Sequence, residues 1–177
     1  MNKNFLSKGR FALLYALNLM CFTYAGLAIF FIFCPFEAHF STIDFLKYWQ
    51  VVDGYMGKRM PIFGNIWLVL FVLNLIFFFK TRKISPIFWL IVGAFVLVVA
   101  DIIFTVQSQI PINQYIQSLD LNHLTTEQSN QLQNLREQSN KNFGFRHILQ
   151  WGQFVLMSFT PYLLPKLEER LVRHTPQ

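Results

Sequence analysis

ISPIFWLIVGAFVLVVA, residues 84–100, carries no charge until Asp101, and the apolar character resumes beyond it through Ile110. As an α-helix rising ~1.5 Å per residue, such a stretch covers the roughly 30 Å of hydrocarbon in a bilayer. Only helices and closed barrels satisfy their backbone in lipid, and the run lacks the polar–apolar alternation of barrel strands. It predicts a membrane-spanning helix. Three further uncharged runs surround it: Phe11–Phe36 between Arg10 and Glu37, Met60–Phe79 between Arg59 and Lys80, and Ile148–Pro165 between His147 and Lys166. The expected fold is all-α, an integral membrane four-helix bundle forming one domain over 1–177. Its spans fall at about 11–34, 61–79, 86–107 and 147–165.

Composition agrees. The chain is 54% hydrophobic and 14% charged, with mean hydropathy +0.37, where a soluble domain has about a quarter of its residues charged. Its 21 Phe exceed what one small soluble core would bury. The net charge of +6 would raise the question of nucleic acid in a soluble chain. Here the basic residues lie between apolar runs, so the expected partner is the lipid bilayer and not nucleic acid. Cys21 and Cys34 stand ~20 Å apart along one helix, too far for a disulfide, and read as packing residues.

Turn chemistry marks the boundaries. Pro61 and Pro86 suit helix starts, where a missing N–H costs nothing. Pro111 follows the third span, and Pro161 and Pro165 close the fourth. Trp67, Trp89 and Trp151 fall near expected span ends, where indoles favour the interface. Lys3, Lys8 and Arg10 precede a hydrophobic run far longer than a signal peptide's, so the first span is expected to be retained.

The 15 Lys and Arg divide evenly among the five segments outside the runs, but their density does not. They crowd the N-terminus, the Lys80–Lys83 turn and the tail from Lys166, and thin out in two longer connections that also hold acids. The positive-inside rule then puts both termini and that turn in the cytoplasm, most simply of the cell (inner) membrane, and the loops 35–60 and 108–146 on the other side. Ser41 and Thr42 are fair N-caps for a short amphipathic helix, Ile43 to Met56, lying on the membrane or over the bundle mouth. In the Gln- and Asn-rich second loop, Thr125 and Thr126 suit a polar helix through Arg136.

Polar residues within spans are costly unless paired or hydrated. Tyr15, Asn18 and Cys21 recur at steps of three in span one. Span two holds Asn65 and Asn74. Asp101, Thr105 and Ser108 share a face of span three, followed by Gln107, Gln109 and Asn113. His147, Gln150 and Gln153 form a stripe on span four, with Arg146 one turn from Gln150. With spans three and four antiparallel, an acid, an imidazole, an arginine and several amides line one cavity. That set suits the polar head of an apolar small molecule, or proton transfer with His147 as base and Asp101 or Arg146 tuning it. The plainer reading treats the same groups as interhelical glue, about 0.6 kcal/mol each, with Arg146 and His147 at headgroup level. No phosphate-binding glycine loop, CxxC, HExxH or G-x-S-x-G is present, and the histidines lack the spacing of a bundle metal or di-haem site. No metal or other cofactor is expected.

Three places resemble the family of small four-span proteins that includes the anthrone-oxygenase-like proteins. They are Tyr48-Trp49-Gln50 through Met60-Pro61, Thr105-Val-Gln-Ser-Gln-Ile-Pro-Ile-Asn113, and Phe143-Gly-Phe-Arg-His-Ile-Leu-Gln150. Phe143 or Phe145 stands where the family usually shows Trp. The resemblance implies a four-span fold and a cofactor-independent oxygenase acting on a lipophilic, anthrone-like aromatic. His147 would be the base and Arg146 the anion stabiliser. Asp101, Asn113 and Gln107 would orient the substrate, with Gln150 beside them. Equal weight goes to a non-enzymatic membrane accessory subunit or small-ligand binder. A transporter ranks lower, since four spans without an inverted repeat would need a homo-oligomer.

Overall fold

The computed structural model describes residues 3–33 and 39–173 and is all-helical across them. Helix α1 is Lys3–Phe33, and α2 is Thr42–Phe78, closed by a 3₁₀ turn over Phe79–Thr81. Helix α3, Ile87–Phe104, passes through a π-helical turn, Thr105–Gln109, into α4, Ile110–Ser118. Helix α5 is Thr126–Ser158 and α6 is Thr160–Arg173. Three helical stretches are long and apolar enough to cross a membrane: Lys8–Ile29, Thr42–Thr81 and Ile87–Ser118. The end of the first expected span at 34 and Cys34 lie outside the described residues.

The expected loops are largely helical. The short amphipathic helix foreseen before span two is instead continuous with it. Ser41 caps the joint helix by accepting from the Asp44 N–H at 3.2 Å, and Asp44 complements the first-turn dipole. Pro61 therefore sits inside α2 and not at a helix start. Its ring would press on the carbonyl of Gly57, where no side chain adds to the crowding and both residues face outward. At 37 residues α2 is ~55 Å long, nearly twice a hydrocarbon core.

The second loop is likewise short. Thr125 begins α5 with a capping box to Gln128, and the polar helix foreseen there runs straight into the fourth expected span. Pro111 does not end the third span. The preceding π turn, where the Ile110 N–H reaches back to the Thr105 carbonyl, widens the helix and gives the proline ring room. The fourth expected span, 147–165, is two helices that meet at Phe159. Pro161 cannot bond the Met157 carbonyl, and the Thr160 hydroxyl takes it instead at 2.8 Å. Asn18 on α1 donates to that same hydroxyl at 3.0 Å, tying the break to its neighbour. Pro165 lies inside α6, so the helix continues past the expected end.

Helices α1, α2, α3 and α5 pack in a ring, each against the next. Between α3 and α5 the fit is reciprocal. A Cβ on Gly152 would stand 2.9 Å from Leu97 Cδ1, and one on Gly93 would stand 3.2 Å from Leu156 Cδ1. Each glycine is thus the notch for the other helix's leucine. The main core is built of Leu14, Leu17, Phe71, Phe78, Ile91 and Val98, with Leu164 and Leu167 of α6 closing one end. Trp67 is buried within this core, whereas Trp89 is exposed.

A second core lies at the other end. Phe45 and Leu46 of α2, Ile112 and Ile116 of α4, Leu119, Leu121, and Leu132 of α5 form a small helical head. Helices α2 and α5 run through both cores.

Candidate functional site

Two polar networks separate the cores. In the lower one, Asp101 faces Arg146 across the α3–α5 contact, with Arg146 Nε donating to Asp101 Oδ1 at 2.8 Å. The other carboxylate oxygen accepts from the Tyr24 hydroxyl of α1 at 2.8 Å, and Arg146 Nη2 donates to that hydroxyl at 2.8 Å. Acid, base and phenol close a ring among three helices. Asp101 is only 3% exposed. A buried carboxylate is stable when both oxygens are bonded and its charge is matched, and here both conditions hold. Gln150, one turn from Arg146, is buried within reach of the Tyr24 hydroxyl. The Tyr24 ring is held edge-on by Trp67, centroids 4.8 Å apart.

The upper network is centred on Asn113. Its Nδ2 donates to Asp53 of α2 at 2.6 Å, and its Oδ1 accepts from Trp49 Nε1 at 3.0 Å and Gln109 Nε2 at 2.7 Å. Gln109 also donates to the Ser139 hydroxyl of α5 at 3.2 Å. Gln50 bonds the Ile116 and Leu119 carbonyls at the end of α4, which leaves that helix terminus satisfied. Phe143 bridges the two networks. Its ring meets Trp49 edge-on at 4.9 Å and lies 5.8 Å from the Arg146 guanidinium.

Of the six residues singled out from the sequence, Asp101, Arg146 and Gln150 come together. Asn113 stands in the upper network instead. Gln107 faces outward. His147 is half-buried beside Arg146 in the chain, and no hydrogen bond joins it to the described residues. The stripe of three on α5 is therefore split: Gln150 and Gln153 point inward, and Arg146, not His147, completes the inner face. The stripe on α1 drifts likewise, with Tyr15 exposed and Cys21 buried.

Gln109, named among the polar groups of span three, joins the upper network, and Tyr24, Asp53, Trp49 and Ser139 complete the networks without having been singled out for them. Tyr24 extends the Tyr15, Asn18, Cys21 series by one more step of three, a signal that was there to follow. Asp53 fell in the short amphipathic helix expected over Ile43 to Met56 and Ser139 in the connection 108–146, both outside the expected spans, where a polar residue carries little information. Comparison of the chain with family models, with curated proteins and with solved structures finds no match in any of the three.

Chemically, the lower ring is closed on itself. Arg146 and Asp101 neutralise each other directly, and Tyr24 occupies the remaining carboxylate oxygen. A substrate anion would have to displace Asp101 to reach the guanidinium.

Proposed function

We propose that this chain is a multi-pass integral membrane protein that crosses the bilayer four times, with α5 and α6 together forming the fourth passage. Both termini lie in the cytoplasm, the head lies on the opposite side, and the role is that of a non-enzymatic accessory subunit. The topology is supported by the clustering of basic residues at one end. Arg170 donates to the Ile84 carbonyl at 2.6 Å, which brings the tail cations beside the Lys80–Lys83 turn. The non-catalytic reading rests on one observation: the charges expected to act on a substrate are bound to each other.

A second reading has one feature in its favour. The His147 imidazole adjoins the ion pair and is not engaged by the described residues, as the base of an oxygenase acting on an anthrone-like aromatic would be. Oxygen uptake by detergent-purified protein with an anthrone substrate separates the two. An accessory subunit consumes no oxygen, whether wild type or His147→Ala. Uptake by the wild type that disappears in a folded His147→Ala variant would replace the accessory role with the oxygenase.

A further inference from the structure

One turn below Gln150, a polar side chain lies in the main core with nothing to bond. Gln153 of α5 is 0% exposed, and neither its Nε2 nor its Oε1 has a hydrogen-bond partner. Native bundles rarely leave both ends of a carboxamide unpaired, and such a group calls for a bound partner.

The surroundings can be placed from the contacts around it. Phe22 of α1 meets Phe154 at 5.7 Å, and Leu97 of α3 faces Gly152, so Gln153 sits level with Cys21 to Tyr24 and with the middle of α3. Trp67 of α2 reaches the same level through its contact with Tyr24. Its Nε1 is buried too, with only the Cys21 thiol, a weak acceptor, beside it. Three N–H donors, on two nitrogens, and one acceptor oxygen therefore lack a strong partner at this depth.

Further unpaired atoms lie toward the head. Thr105 Oγ1 and Gln109 Oε1 are buried without partners, each ~6 Å further along α3 from Asp101, at four residues per step. The π turn that holds both departs from the regular helix at this very place, and such turns are frequent at functional sites.

We propose that the bundle interior at Gln153, at the level of Trp67, binds a hydroxyl group that enters from the head side past Gln109, Thr105 and the ion pair. Only a group that both donates and accepts answers this set. A carbonyl or carboxylate would leave Gln153 Oε1 unpaired, and a cation would leave the N–H donors of Gln153 and Trp67 unpaired. Two sources share the chemistry: an internal water, or the hydroxyl of an apolar amphiphile whose tail lies among the phenylalanines. The site rests on this buried geometry and is independent of the accessory role; an oxygenase would carry it equally.

Two measurements test it. Native mass spectrometry of the protein, purified without delipidation, looks for a bound molecule. NMR in the same micelles follows exchange of the Trp67 indole N–H into D2O. A bound mass present on wild type and lost from Gln153→Leu, or from the unbranched Gln153→Met, identifies an amphiphile. With no such mass, an indole protection factor at least 100-fold below those of the Ala94 and Val98 amides identifies water. No Gln153-dependent mass, together with an indole as protected as those amides, overturns the proposal. The exchange measurement uses wild type alone, so it decides even if the variants fail to fold.

Discussion

Arg146 joins three helices through one guanidinium, and the worth of that tie is a question about single side chains. Removing one member of a buried pair leaves the other charged and unmatched, at a cost of about 3–5 kcal/mol, whereas replacing both by apolar groups of like volume is often neutral. Arg146→Met and Asp101→Leu should each lower stability by that amount, and the double variant should recover most of it. Tyr24→Phe removes only the hydroxyl and should cost about 1–2 kcal/mol. Denaturant titration of the protein in detergent checks all four, and additive losses in the double variant would mean that the pair is not coupled. A second prediction concerns the exposed turn after α4. There the His123 ring at 3.0 Å, and then the Asn122 N–H, hold the Asp120 carboxyl below its usual range. A carboxyl depressed by folding stabilises the turn above its unfolded pKa, and that contribution is lost as pH falls through the folded value. An NMR titration should find the Asp120 midpoint below that of a free aspartate, and His123→Ala should move it upward. Asp101 was legible because a charge inside an apolar run is rare, and Arg146 because it falls at the mouth of the fourth run, one turn from Gln150. Their pairing with Tyr24 was not, since a tyrosine in an apolar helix needs no partner to be at home there.

Among the helices, the α3–α5 contact is the one most exposed to substitution. Gly93→Ala and Gly152→Ala meet only the tip of a leucine side chain and should be tolerated within about 1 kcal/mol. Gly152→Leu fills the notch that Leu97 occupies and should cost about 1–3 kcal/mol or more by wedging the helices apart. The same wedge loosens the Asp101–Arg146 tie one to two turns above. A Gly152→Leu protein as stable as wild type would show that the notch is not tightly filled. The helices themselves were legible where apolar runs exceeded a bilayer's width, as at 84–110. Their continuity was not. Prolines at 61, 111 and 165 signal ends, and each is absorbed by context absent from local sequence: an outward-facing glycine one turn back, a π turn, and the docking of α6 through Leu164 and Leu167. The polar helix expected from Thr125 through Arg136 was legible from its caps, but nothing in 126–142 reveals that it runs on into the fourth span or that its leucines meet a second core.

For the molecule as a whole, topology is the first property to establish. Lys83 and Asn122 lie at opposite ends of the α3–α4 rod, and both are exposed. In a background without Cys21 and Cys34, Lys83→Cys should react with a membrane-impermeant thiol reagent only from the cytoplasmic side. Asn122→Cys should react only from the other side. Reaction of both from one side would remove the expected passage of α3. Helices α2 and α5 pass through both cores, and the division into two cores emerges only once the supposed loops are seen to be helical.

That shared passage of α2 and α5 has a mechanical consequence. A coiled linker would let the head turn freely, dissipating any torque applied to it. Two stiff rods clamped at both ends make a lever, with its fulcrum at the polar belt where Asn113 holds Asp53 and Arg146 holds Asp101. Whatever pushes the head sideways must swing the opposite ends of the rods in the reverse sense, and the strain falls first on those hydrogen bonds.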